Sequence, residues 1–161
     1  MAEDLMTFRI RVRIDRPELI PGMVARLLDF TPAFEVIRDS WREMNKAKFD
    51  KARDQEEVGV GFDYGIFWQP VTDEYHDTKM RQGYDDWLMV KDGALLDAMT
   101  EEGAEGWSER LEPTMAAFGV DQTVVPQFGY NFEDRPVAFL DATDRLMIQK
   151  TAHDHIQGTL A

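Results

Sequence analysis

Apolar and polar residues alternate strictly from Thr7 to Ile14. Phe8, Ile10, Val12 and Ile14 fall on one side, and Thr7, Arg9, Arg11 and Arg13 on the other. A period of two predicts a strand with one buried face. The three arginines on its open face read as a guard against wrong edge pairing, or as the contact for an acidic neighbour in an assembly. The period then changes. Asp15 with Glu18 forms a cap-like start, and Pro17 and Pro21 suit a first helical turn. Met23, Val24, Leu27 and Leu28 follow helical spacing, Thr31-Pro32 breaks or re-caps the helix, and Phe34, Ile37, Trp41 and Met44 continue the stripe. Arg38, Arg42, Glu43 and Lys46 are assigned to the outside. This interrupted arm, about Pro21 to Arg53, is expected to be the largest element.

Gln55 to Gly65 holds three glycines and no stripe, and reads as a loop or extended segment. Ile66-Phe67-Trp68-Gln69-Pro70 is apolar and ends in a proline stop. Thr72 can cap a short polar helix from Asp73 to Arg81. Trp87 to Val90 is apolar, Asp92-Gly93 makes a turn, and Ala94 to Glu102 carries Leu95, Leu96 and Met99 at helical spacing. Trp107 to Leu111 and Thr114 to Val120, separated by Glu112-Pro113, predict a hairpin whose more apolar second arm is the more central. Asp121 or Thr123 starts a brief helix. Asp141 to Ile156 predicts an amphipathic helix ended by Gly158. Together these elements predict one α+β domain over residues 1–161. In it a small antiparallel sheet, made of the N-terminal strand and the hairpin, packs against a long helix and a C-terminal helix.

Between the hairpin and the last helix lies Val124 to Leu140, with Gln127-Phe128-Gly129, a polar turn through Asn131, Phe132, Glu133 and Asp134, and Arg135-Pro136 before Phe139-Leu140. Gly129 can take a positive φ, and Pro136 fixes its own φ while holding Arg135 extended. The stretch reads as a loop bracketed by two rigid points, a shaped surface of the kind that meets other proteins.

Composition narrows the chemistry. The 161 residues include no cysteine, which removes disulfides, thiolate metal sites and cysteine nucleophiles. No apolar run approaches the roughly 18 residues that span a bilayer. The opening places acids before any apolar run, unlike a signal peptide. A cytosolic site of synthesis is therefore expected, with no membrane partner. The formal charge of −13 argues against a protein whose task is gripping phosphate, though not against one lining a channel through which DNA slides. His76, amid Asp73, Glu74 and Asp77, resembles a ligand set but reads better as part of a solvated helix. His153 and His155 face different sides of a helix and read as surface residues. Ser40 and Ser108 are the only serines and sit in no nucleophile elbow. No enzyme activity, metal or cofactor is expected.

Four pieces in order resemble the phage virion morphogenesis family of tail-completion, or head–tail neck, proteins. They are Trp68-Gln69-Pro70 with Thr72 and Lys79; Leu88-Met89-Val90 with Gly93-Ala94-Leu95; a hairpin running into Gln127-Phe128-Gly129; and Arg135-Pro136 with Phe139-Leu140 and a terminal helix. They span the chain from about Trp68 onward. Val124-Val125-Pro126 stand where that family usually has Tyr-Ala and a histidine, and Val137-Ala138 separate Pro136 from Phe139 where it usually runs straight on.

The resemblance implies a structural virion protein of a tailed phage or phage-like particle, made in the host cytoplasm. It would form a homo-oligomeric ring, a hexamer favoured, between head-closure or connector proteins and the tail terminator or tail tube. DNA would pass through the lumen with transient contact only. Closing such a ring requires a heterologous interface. The candidates for it are Arg9, Arg11, Arg13, Gln127, Phe128, Gly129, Asn131, Phe132, Arg135 and Pro136, with Trp68, Trp87 and Phe128 read either as interface anchors or as core. A rival reading is an acidic DNA mimic that inhibits a host DNA-binding enzyme, and a third is a small metallohydrolase built on His76.

Overall fold

A computed structural model describes residues 6–8, 21–53, 59–84, 90, 92–125, 135–136 and 138–160. The elements run β1 (Met6–Phe8), α1 (Pro21–Leu28), α2 (Thr31–Ala52), β2 (Val60–Gly61), a 3-10 turn (Asp63–Gly65), β3 (Phe67–Trp68), α3 (Asp73–Arg81), α4 (Ala94–Thr100), β4 (Trp107–Glu112), β5 (Met115–Val120) and α5 (Ala142–Gln157). The fold is α+β, with a long helix and a C-terminal helix against a small antiparallel sheet.

The helical arm divides at Thr31-Pro32, as its sequence suggests. Asp29 Oδ1 accepts the Thr31 N–H at 3.0 Å, and Pro32 fits the first turn of α2, where no intrahelical donor is needed. Hydrogen bonding from the Thr31 side chain, and then from its N–H, holds the Asp29 carboxyl below the usual carboxylate range. Along α2, Phe34, Ile37, Trp41, Asn45, Lys48, Phe49 and Ala52 recur at helical spacing and are buried. One side of the helix therefore serves as the spine of the core, packed against the sheet, α4 and α5.

The three-stranded sheet has the order β1-β5-β4, antiparallel throughout. β5 is central because Ala116, Phe118 and Val120 meet the core while Ala117 is buried on the other parity. The β4–β5 hairpin closes with Glu112 opposite Met115, so the turn residues are Pro113 and Thr114, one position beyond the predicted Glu112-Pro113. Pro113 O accepts the Phe30 N–H at 2.8 Å and ties this turn to the α1–α2 joint.

Two aromatic groups line α2. Trp41 meets Trp107 and Phe118 at centroid distances of 5.8 and 5.6 Å. Trp68 meets Phe49 at 5.5 Å and Phe62 at 5.0 Å, and Phe62 meets Phe139 at 5.0 Å. The β2–β3 pair brings Trp68 inward, and Gly59 makes room for it. At φ +73°, a Cβ on Gly59 would stand 2.5 Å from Trp68 O.

Three sequence expectations are corrected here. Arg42 does not point outward: its side chain is 7% exposed and lies 4.4 Å over the Trp107 ring. A guanidinium can enter a core where an aromatic face and carboxylates receive its charge. His155 is likewise buried and not a surface residue. Its Nε2 lies 2.9 Å from Arg26 O and 2.8 Å from Asp29 O. Both are acceptors, so this nitrogen carries the proton and donates to the end of α1. Arg26 Nε in turn donates to Ile156 O at 3.0 Å, so α1 and α5 cap each other's C-terminal carbonyls. The exposed His153 keeps its surface place. The helix expected after Asp121 is a hydrogen-bonded turn up to Val125. The strand beyond Phe8, the Asp85 to Met89 run and the Gln127-Phe128-Gly129 turn lie outside the described residues.

Candidate interface: two loop anchors and an acid-lined cleft

Residues 126–134 join two stems, and each stem is pinned by its own chemistry. On the N-terminal side, Asp121 N donates to Gly106 O at 2.7 Å. The Asp121 carboxylate accepts both the Thr123 hydroxyl (2.7 Å) and the Thr123 N–H (2.8 Å), bonds that hold it below its usual range. Val124 and Val125 then donate their N–H groups to Asp121 O. Val125 is buried against Gly106, where φ is +87° and a Cβ would lie 2.5 Å from Val125 Cγ2. Only glycine lets the two stretches approach this closely.

The C-terminal stem is held by the Trp68-Gln69-Pro70 stretch, more than sixty residues earlier in sequence. Arg135 donates from Nε to Gln69 O at 2.7 Å and from Nη2 to Pro70 O at 2.9 Å. Trp68 Nε1 donates to Pro136 O at 2.8 Å. The two motifs are thus reciprocal: each offers a side-chain donor to the other's main chain. Because Thr72 caps α3 by accepting the Tyr75 N–H, the same stretch also sets where α3 begins.

Further along, the stem reaches an ion pair in the core. Lys48 Nζ lies 2.8 Å from Asp144 Oδ2 and 2.9 Å from Phe139 O, with the Phe139 ring 4.3 Å away. Asp144 also accepts the Asp141 N–H, while Asp141 accepts the Asp144 N–H, a capping box that starts α5. One buried ammonium therefore joins α2, the returning stem and the first turn of α5.

Beside the N-terminal stem opens a cleft of about 650 Å³ lined by Asp92, Ala94, Asp97, Glu101, Ala104, Glu105, Val124 and Val125. Its polar lining is four carboxylates, and Val124 presents an apolar edge to solvent. The acidic character continues across the start of β4. Asp39, Glu102 and Glu109 stand at 3.1, 3.9 and 3.7 Å from Arg42, and Arg38 binds Asp39 at 2.8 Å and faces Glu109 at 3.6 Å. The hydrogen bond to Asp39 raises the Arg38 guanidinium above its usual range. Both arginines are mostly covered, whereas Glu102 is 79% exposed. This flank therefore shows carboxylate to its surroundings.

The sequence-predicted interface residues separate into three groups. Trp68 is wholly buried within its own chain, so it is withdrawn as an anchor for a neighbour and stands as core. Arg135 and Pro136 are half-buried and turned inward to brace the stem. Arg9, Arg11, Arg13, Trp87, Gln127, Phe128, Gly129, Asn131 and Phe132 lie outside the described residues. The sequence reading missed Lys48, Asp144 and the cleft acids. Lys48 had a signal: it stands seven residues after Trp41, on the same helix face. Among the described residues no three His, Asp or Glu side chains are arranged to hold a metal ion, and no helix is long and apolar enough to cross a membrane. No protein-family model, curated protein or solved structure matches the chain.

Proposed function

We propose that this protein is a structural component of a tailed-phage or phage-like particle. It tiles with copies of itself into a ring at the head–tail neck, between head-closure or connector proteins and the tail, with DNA passing through the lumen. The observation that carries the reading is the mutual bracing of Trp68-Gln69-Pro70 and Arg135-Pro136. These are two of the four pieces that resemble the phage virion morphogenesis family, and their contact gives their order along the chain a physical purpose. They fix a stem at the end of the segment that holds Gln127-Phe128-Gly129.

The chemistry around that stem suits a part that works by shape. Side-chain donors go to main-chain carbonyls, which stiffens the scaffold. The −13 charge suits a lumen that repels a duplex and lets it slide. Six copies are favoured, each presenting one surface to a different surface of the next.

Negative-stain imaging of the purified protein, with a native mass measurement, tests this directly. The expected result is a ring whose mass is an integer multiple of 18.6 kDa. A monomer at every concentration and salt tried, and in particles as well, would overturn the reading. So would tight, salt-sensitive binding of duplex DNA by the isolated protein.

A further inference from the structure

The outward face of α5 stands apart in a chain whose formal charge is −13. Arg145, Leu146, Gln149, Lys150 and His153 share one side of this helix and are exposed, and its exposed positions include no carboxylate. The acids of α5 turn elsewhere. Asp144 is buried with Lys48, and the side chain of Asp154, which pairs with Lys150, is 23% exposed against 76% for the lysine. What this face shows is therefore cation and amide, with Leu146, 66% exposed, standing between Arg145 and Lys150. The cleft beside the N-terminal stem is the counterpart in each respect. It is concave where the helix is convex, its polar lining is carboxylate, and Val124 at its edge is 43% exposed. Neither Leu146 nor Val124 is covered by its own chain.

We propose that the outer face of α5 docks in the acid-lined cleft of a second copy of this chain. Leu146 meets the Val124 edge, and Arg145 and Lys150 lie among the carboxylates of Asp97, Glu101 and Glu105. Charge complementarity names the occupant. Two α5 faces would set cation against cation, and two clefts would set carboxylate against carboxylate, so neither surface pairs with itself. Each copy carries one surface of each kind, on different elements, and a copy bound through one still offers the other. That is a heterologous contact, which continues until it closes on itself. A helix laid in a groove gains from the apolar side chain it buries, while the charges around that side chain select partner and register. The inference rests on the ring reading above and adds which surfaces meet.

The test uses the full chain and two double variants, Arg145→Glu/Lys150→Glu and Glu101→Arg/Glu105→Arg. Glu102 and Glu109 are left alone because they face Arg42. Circular dichroism melts confirm that each variant folds. Each alone carries one sign on both surfaces, and the concentration needed for assembly is expected to rise roughly tenfold or more. Mixed one to one, the two present opposite surfaces to each other and are expected to regain the wild-type mass. Leu146→Ser probes the same contact with no change of charge at a position open to solvent, and it too is expected to weaken assembly several-fold. If any of the three assembles as the wild type does, the docking proposal is overturned while the ring stands, and a mixture that stays monomeric also overturns it. Duplex DNA binding that Arg145→Glu/Lys150→Glu abolishes, with assembly unchanged, would assign the face to phosphate instead. A wild-type chain that never assembles removes the ring reading and the docking with it, and that result is read before any variant is made.

Discussion

Replacing Lys48 with Met probes the joint on which the returning stem and α5 depend. Methionine keeps the length and apolar bulk of the lysine stem, so no large cavity confuses the result. What disappears is the ammonium between Asp144 Oδ2 (2.8 Å) and Phe139 O (2.9 Å), in a pair whose side chains are 6% and 4% exposed. Removing one partner of a buried ion pair costs about 3–5 kcal/mol, because the other charge is left uncompensated. Asp144 keeps the Asp141 N–H at 3.0 Å, which places the expected loss near the lower end, about 3 kcal/mol. At about 3 °C per kcal/mol for a domain of this size, the melting midpoint should fall by roughly 10 °C. Lys150→Met is the control. Its i,i+4 pair with Asp154 has the lysine largely in solvent, and the expected cost is small beside that of Lys48→Met.

A double-mutant cycle separates the pair from its surroundings. Asp144→Asn keeps an acceptor for the capping box but removes the charge, and alone it strands the ammonium. Lys48→Met/Asp144→Asn removes both charges, so its cost should fall short of the sum of the single costs by about 2 kcal/mol. Urea unfolding followed by tryptophan fluorescence gives all four corners. A Lys48→Met cost under about 1 kcal/mol, or single costs that add within about 0.5 kcal/mol, would refute the buried-joint reasoning.

Three other outcomes follow from the geometry. Arg135→Ala should cost about 1 kcal/mol and speed exchange of the Trp68 indole N–H roughly five- to tenfold by NMR, since the stem that covers it loses two of its three bonds. Gly106→Ala should destabilise by about 2 kcal/mol or more in urea, from a disfavoured φ and a 2.5 Å contact with Val125; Gly103→Ala, at φ +70° in open space, should cost only about 1 kcal/mol. Asp29, Asp121 and Asp154 titrate below their unfolded values, held there chiefly by Thr31, Thr123 and Lys150. Their stabilisation is therefore present above about pH 4 and lost as pH falls through the lowered values, because the unfolded chain binds protons first. Acid melts should show that slope, and Asp29→Asn with Asp121→Asn should flatten it.

The elements were legible in sequence where a local rule decides them. Thr72 and Asp141 mark the starts of α3 and α5, Gly158 marks the end of α5, and the unbroken apolar run of β5 marks the central strand. Contacts between distant segments were not. Nothing in Trp68-Gln69-Pro70 alone says that its indole will meet Pro136 O, because topology sets that pairing and neither motif does. Polarity misled at Arg42 and His155, where a charged or polar type was read as a surface position; an aromatic face and two helix-end carbonyls hold them inside. The cleft acids Asp97, Glu101 and Glu105 recur every four residues, a visible pattern. In a chain with 31 acids, such spacing does not stand out until the fold sets α4 and the turn after it around one cavity.

Those same acids allow salt to separate folding from association. Asp97, Glu101 and Glu105 stand around one cleft, and their carboxylates repel one another within a single copy. Raising ionic strength from about 0.1 to 1 M shortens the screening length from about 10 to 3 Å and relieves that repulsion, so the isolated fold should melt higher. Attraction between copies that rests on charge is screened by the same ions, so the assembled fraction of a charge-held ring should fall. An interface held by apolar burial alone would respond the other way, strengthening with kosmotropic salt. Melting curves on a dilute sample and mass distributions on a concentrated one, over the same sodium chloride series, give both quantities. Opposite trends are expected, and an assembled fraction that grows with salt would rule out charge as the force that holds the copies together.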